Sequence, residues 1–212
     1  MISVIITAGG SSTRFKGQNK LLYELKGKPV ISYSVELFSS LAFVDEIIIS
    51  ANETIIDYLS SLFVDFSKVK IIKGGSSRQE SVFNALKACN DCEYVIIHDG
   101  ARPFIDEQTV FNCLEKAKQI GGAIVAVKTI DTIKIVDEDG IIKSTPDRNF
   151  LWNAQTPQIF DYKLIYSLHQ KYKDYSFTDD SLLYEKEELP VAICEGSYSN
   201  FKITTLQDLE KL

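Results

Sequence analysis

Residue types able to handle phosphate gather in three short segments. Ala8-Gly9-Gly10-Ser11-Ser12-Thr13-Arg14 follows an apolar run. Its small residues let backbone N–H groups approach a phosphate, while Arg14, Lys16 and Lys20 supply positive charge. His98-Asp99-Gly100-Ala101-Arg102-Pro103 follows another apolar run and sets a carboxylate three residues before a guanidinium, a pairing suited to Mg2+ and phosphate oxygens together. Gly74-Gly75-Ser76-Ser77-Arg78-Gln79 could lie against a base or ribose. Each segment also has a plainer reading: a glycine-rich turn with a surface arginine, a structural Asp–Arg pair closing a loop, and an ordinary helix cap. His98 is expected to be packed rather than catalytic.

The first segment fits neither the P-loop pattern nor G-x-G-x-x-G, because Arg14 stands where a close-packing glycine belongs. Only four of the 23 basic residues are arginines: Arg14, Arg78, Arg102 and Arg148. Arginine makes planar, bidentate contacts that lysine cannot imitate, so its restriction to these places is expected of residues that contact phosphate or organise the loops around it.

The elements that must position these residues are legible as apolar β-branched runs at 3–7, 46–50, 69–72, 94–98 and 123–127. Continuous runs of this kind suit strands buried on both faces. Between them, helical spacing covers roughly 29–42, 53–63, 78–88 and 107–119, the third opening on Ser77-Arg-Gln-Glu80, a capping-box pattern. Alternating β and α predicts an α/β, Rossmann-like fold: a mostly parallel open sheet flanked by helices, with ligands beyond the carboxyl ends of its strands. TIKIVDEDGIIKST alternates around Asp139-Gly140, the dipeptide of tight hairpin turns, and predicts a projecting β-hairpin arm at about 130–149. Further helices are expected near 161–172 and 179–187, and a strand at 191–194. At 212 residues the whole chain, arm included, is expected to form one domain.

Composition narrows the function classes. A formal charge of -6 argues against nucleic acid as a partner, and no apolar run approaches the length of a membrane span. Met1 leads straight into ISVIIT rather than a cleavable leader, so a cytoplasmic protein is expected. Four cysteines and two histidines are a poor basis for zinc. Cys89-x-x-Cys92 follows a predicted helix, whose negative end opposes thiolate formation and redox catalysis.

Taken in order, AGGSSTRF, GGSSRQESV, HDGARPFI, DTIK, LWNAQTPQIF, FTDD and FKITTLQDL resemble the signature of the 2-C-methyl-D-erythritol 4-phosphate cytidylyltransferases of isoprenoid precursor synthesis. The likeness runs along essentially the entire chain. It implies transfer of CMP from CTP to the polyol phosphate with release of pyrophosphate, assisted by Mg2+ or another divalent cation. By the same resemblance Ala8, Gly9, Gly10, Ser11, Gly75, Ser81 and Gly100 hold CTP, with Arg14 and Lys20 on its phosphates. Asp99, Arg102, Thr132, Arg148, Thr156, Thr178 and Lys202 surround the polyol phosphate, Arg148 and Lys202 gripping its phosphate, while Asp99 is also a candidate metal ligand. The resemblance further implies a homodimer whose arm carries Thr132 and Arg148 into the partner's pocket. One departure is Asn19-Lys20-Leu21 where the family usually has Pro-Lys-Gln. Three alternatives stand beside this reading: a ribitol 5-phosphate cytidylyltransferase, a nucleotide-binding homologue that has lost turnover, and a dehydrogenase.

Overall fold

A computed structural model describes residues 1–9 and 19–211. Gly10, Ser11, Arg14 and Lys16 therefore lie outside the described residues. Strands β1 (Ile2–Ala8), β4 (Glu46–Ala51), β5 (Val69–Lys73), β6 (Tyr94–Asp99), β7 (Gly122–Lys128), β10 (Trp152–Asp161) and β11 (Ala192–Glu195) form one sheet in the order β11-β7-β10-β6-β1-β4-β5. Every neighbouring pair is parallel except those made by β10, which runs antiparallel to both β6 and β7. Two short strands, β2 (Glu24–Leu25) and β3 (Lys28–Pro29), pair with each other outside the sheet.

Strand alternation divides each apolar run between two cores. Val4, Ile6, Ile47, Ile49 and Ile96 pack on one face, and Ile5, Ile48, Val95 and Ile97 on the other. Helices α1 (Val30–Ser40), α2 (Ile56–Leu62) and α4 (Glu107–Ile120) give buried residues to the first core. Helices α3 (Arg78–Ala88), α5 (Tyr162–Lys171) and α6 (Ser181–Lys186) cover the second. Helix α4 has the end signals its sequence carries: Asp106 accepts from the Thr109 N–H at its start, and Gly121 closes it at φ 100°, a left-handed conformation.

Strand β10 is not evident in the sequence, since Pro157 and a run of amides argue against a central strand. It is tolerated because its register shifts between Ala154 and Gln158 and its polar groups find partners. Gln155 donates to the Ser197 carbonyl and Gln158 to Asp179.

A β-hairpin lies in the stretch expected to form the arm, with strands β8 (Ile135–Val136) and β9 (Ile142–Ser144) pairing antiparallel. Its turn is wider than the two-residue Asp139-Gly140 turn expected. The Asp137 carboxylate accepts from the N–H groups of Asp139 and Ile141, so the connection spans 137–141 with Gly140 at φ 79°. Ile130, Ile133, Ile135, Ile141, Ile142 and Phe150 all stand exposed, Phe150 at 81%.

Candidate functional site

The carboxyl ends of β1 and β6 lie side by side, Thr7 opposite Asp99, and a cavity of about 470 Å³ opens at that edge of the sheet. Thr7, Gly9, Lys20, Asn52, Gly75, Ser81, Arg78, Asp99 and Lys202 are among its lining residues. Two helix-start features shape one wall. Ser77 caps α3 by accepting from the Glu80 N–H, as expected. Glu80 does not return the bond to Ser77 but reaches the N–H and hydroxyl of Ser76, which folds the Gly74–Ser76 loop back over the helix. Gly75 is required there: a Cβ would stand 2.3 Å from the Glu80 Cγ. Its N–H donates to the Ser81 hydroxyl, which itself donates to the Ser77 carbonyl, so the loop is pinned from inside the first turn.

Asp99 is the electrostatic centre. Its side chain is 8% exposed, with Lys202 Nζ 2.8 Å and Arg102 Nε 3.7 Å from one oxygen and Arg78 Nε 3.6 Å from the other. Burial alone would raise its pKa, but Lys202, Arg78 and Arg102 outweigh burial and hold the carboxyl well below its usual range. Beneath it a proton chain has a single consistent polarity. The Asp99 N–H donates to the Thr156 hydroxyl, which donates to His98 Nδ1, leaving Nε2–H to donate to the Arg102 carbonyl. Full burial pushes His98 down to about 4, so it is the neutral tautomer this chain requires. His98 is packed, edge-on against Phe38.

The expected residues thus fall into three groups. Gly9, Lys20, Gly75, Ser81, Asp99 and Lys202 line one cavity, drawn from five separate stretches of chain. Ala8, Gly100, Arg102 and Thr156 form its framework. Ala8 is 1% exposed, and Gly100 donates to the Thr7 carbonyl. The Thr156 hydroxyl is committed as described, and Arg102 donates to the Asn200 and Ala154 carbonyls, closing the loop as in the plainer of its two sequence readings. Thr178 is exposed beyond α5, and Thr132 and Arg148 sit exposed on the arm, where Arg148 donates to the Ile130 carbonyl. None of these three lines the cavity.

Lys20 has a defined place despite its altered surroundings: Asn19 caps the short helical turn Lys20–Leu22, and Lys20 Nζ donates to the Ile203 carbonyl. Sequence reasoning passed over the Arg78–Asp180 pair, which joins α3 to the start of α6 at 2.7 Å. The signals were the scarcity of arginine and the doubled acid in Phe177-Thr178-Asp179-Asp180.

A resident metal does not fit the described residues. Asp99 is the one acidic residue lining the cavity, its oxygens already face cations, and no group of three or more His, Cys, Asp or Glu could hold an ion among the described residues. In the C-x-x-C, Cys89 closes α3, and its hydrogen bond with Cys92, then burial, push its thiol up, while the same hydrogen bond lowers that of Cys92.

A cation-lined cleft at the carboxyl edge of a mostly parallel α/β sheet defines the class of phosphate- and nucleotide-binding α/β proteins. A sequence model of the 2-C-methyl-D-erythritol 4-phosphate cytidylyltransferase family (IspD) matches residues 2–211. The enzyme of that name from Caldanaerobacter subterraneus subsp. tengcongensis is 41% identical over 216 residues, covering 98% of this chain and 95% of the relative. That from Clostridium acetobutylicum is 42% identical, with 99% and 94% covered. The crystal structure of 4-diphosphocytidyl-2C-methyl-D-erythritol synthase from Anaerococcus prevotii superposes with a TM-score of 0.92 at 34% identity, covering 100% of this chain and 93% of that one. The chain belongs to the 2-C-methyl-D-erythritol 4-phosphate cytidylyltransferase family.

Proposed function

We propose that this protein transfers CMP from CTP to 2-C-methyl-D-erythritol 4-phosphate, releasing pyrophosphate, in isoprenoid precursor synthesis. The observation that carries the reading is the convergence of Lys20, Arg78 and Lys202 on one cleft around the single carboxylate Asp99. Two polyanions must meet there, so the principal task is to offset their repulsion and align the attacking oxygen, rather than to supply a strong base. A phosphate monoester is already largely ionised at neutral pH. Its oxygen attacks the α-phosphorus in line, pyrophosphate leaves from the opposite side, and no enzyme adduct forms.

The glycine-rich wall of Gly9, Gly75 and Ser81 suits the nucleotide, with Lys20 and Arg14 on its phosphates, and Gly10 and Ser11 extending the cradle. Lys202 opens toward the polyol phosphate, being 37% exposed and tethered by Asp99. A divalent cation used in the reaction would be brought by CTP, and would offset triphosphate charge without a described residue holding it. Asp99 keeps the role its neighbours give it, fixing the cations.

The second phosphate grip is assigned to Arg148, with Thr132 beside it, reaching the cleft from a second copy of the chain. The exposed apolar residues of the arm support this homodimer, since each large side chain removed from water contributes about 1.5–3 kcal/mol against the cost of association. The whole chain is read as one catalytic domain, arm included. No described helix is long and apolar enough to cross a membrane, and its four free cysteines suit a reducing cytoplasm.

The test is pyrophosphate release from each nucleoside triphosphate against methylerythritol phosphate, ribitol 5-phosphate and related polyol phosphates. The fastest turnover is expected with CTP and methylerythritol phosphate. Preference for ribitol 5-phosphate would transfer the assignment to that substrate, and release from no pair would leave a nucleotide-binding homologue.

A further inference from the structure

Behind the cleft wall, a line of buried polar groups leads from Arg78 to a histidine that no proposed step uses. Arg78 Nη1 meets one oxygen of Asp180 at 2.7 Å, and Nε2 of His169 lies 3.2 Å from the other oxygen. Asp180 and His169 are almost wholly buried, with side chains 2% and 1% exposed. The His169 ring lies parallel to Phe83 of α3, the helix that Arg78 opens, with centroids 6.1 Å apart. His169 Nδ1 is buried without a partner. A buried polar atom left unsatisfied is costly, so this orientation of the ring is held by what Nε2 does on its other side.

We propose that His169 is a positioning residue for the transfer reaction, acting through Asp180 to hold Arg78 at the nucleotide side of the cleft. Arg78 stands between two carboxylates, Asp99 at 3.6 Å and Asp180 at 2.7 Å, and either could draw the guanidinium to itself. The closer contact anchors its Nη1 end, and the His169 N–H fixes which Asp180 oxygen is free to make it. Arg78 thereby keeps its remaining N–H groups directed at an anionic ligand instead of collapsing onto Asp99. The Asp180 N–H donates to Gln158 Oε1 of β10, which ties the same carboxylate-bearing residue to the sheet. The inference rests on the reading of this cleft as the nucleotide site.

The decisive comparison is His169→Gln with His169→Asn. The glutamine amide can stand where Nε2 does and donate to Asp180, whereas the asparagine amide is too short. Both variants lose the ring stack on Phe83, and His169→Asn also leaves a buried Asp180 oxygen without its donor, so it is expected to melt lower; binding and kinetics are therefore compared well below both melting temperatures, where a merely structural loss leaves the constants of the folded protein equal. His169→Asn is expected to raise the apparent KM for CTP about tenfold over His169→Gln, the scale of one hydrogen bond to a charged group, with the KM for the polyol phosphate unchanged. Calorimetric affinity for inorganic triphosphate is expected to fall by the same factor. Equal CTP constants and equal triphosphate affinities in the two variants would overturn the positioning role. Wild-type protein that binds triphosphate but forms no pyrophosphate from CTP would instead overturn the proposed reaction, and the triphosphate comparison would still decide the role of His169.

Discussion

Replacing Asp99 by Asn removes one negative charge and almost no volume from the centre of the site. Three cationic side chains then lose their common counter-ion, but not equally. Lys202 is 37% exposed and can turn to water, so its share is that of a surface pair, about 0–1 kcal/mol. Arg78 retains Asp180 at 2.7 Å. Arg102, 11% exposed and with its Nε otherwise unpartnered, is left with an uncompensated buried charge. Breaking a buried pair from one side costs about 3–5 kcal/mol, and because two of the three cations have somewhere to go, the lower end, about 3 kcal/mol, is expected. Urea unfolding of wild type and Asp99→Asn measures it. The pH dependence supplies an internal check. A carboxyl whose folded pKa is depressed contributes stability that is present above its unfolded value, about 3.9, and lost as pH falls through the folded one. The gap between the two proteins is therefore expected to hold between about pH 5 and 8 and to narrow below about pH 4. A gap under about 1 kcal/mol at pH 7, or one that fails to narrow in acid, would refute the reasoning about this cluster.

Lys20→Ala is expected to lower turnover by about two to three orders of magnitude, the scale of one lost transition-state donor, and near-normal turnover would remove it from the site. Arg148→Ala is expected to raise the KM of the polyol phosphate far more than that of CTP; equal rises would contradict its assignment. Mixing Lys20→Ala with Arg148→Ala chains is expected to restore about a quarter of wild-type activity, because half the dimers are mixed and each then holds one intact site. No recovery after subunit exchange would place the arm and cleft of one site on the same chain. Burial holds His98 neutral with a pKa of about 4, below the unfolded value of about 6.5, so the unfolded chain alone takes up a proton between these values. Stability is expected to fall by about 3 kcal/mol as pH drops from 6.5 to 4, and His98→Gln is expected to flatten that slope.

The fold was most legible where burial is uniform. SVIIT, EIIIS and YVIIH read as central strands because both faces need apolar residues, and helical spacing, with Ser77 opening the first of the two, placed α3 and α4. Strand β10 was opaque for the opposite reason. Gln155, Thr156 and Gln158 are satisfied by Ser197, Asp99, His98 and Asp179, partners that only the folded chain supplies. In the site, Gly9, Lys20, Gly75 and Asp99 stand in segments legible by their composition and their place after strands, whereas Ser81 and Lys202 were implied only by the family resemblance; all six line the cavity. What motifs could not convey was division of labour. Arg102 and Asp99 were indistinguishable as neighbours in sequence, yet one bonds backbone carbonyls and the other gathers cations. The Arg78–Asp180 pair depends on α3 meeting the start of α6, a tertiary contact that the scarce arginines and the doubled acid Asp179-Asp180 signal without joining the two.

The central claim, direct movement of a cytidylyl group between two phosphates held in one cleft, is tested most directly with CTP labelled at the α-phosphorus. Incubated with methylerythritol phosphate, the label is expected in a cytidylyl product joined through a new phosphoanhydride bond, in equal amount to the pyrophosphate released. Label recovered on the protein, or left in CTP at enzyme concentrations that saturate both substrates, would contradict it.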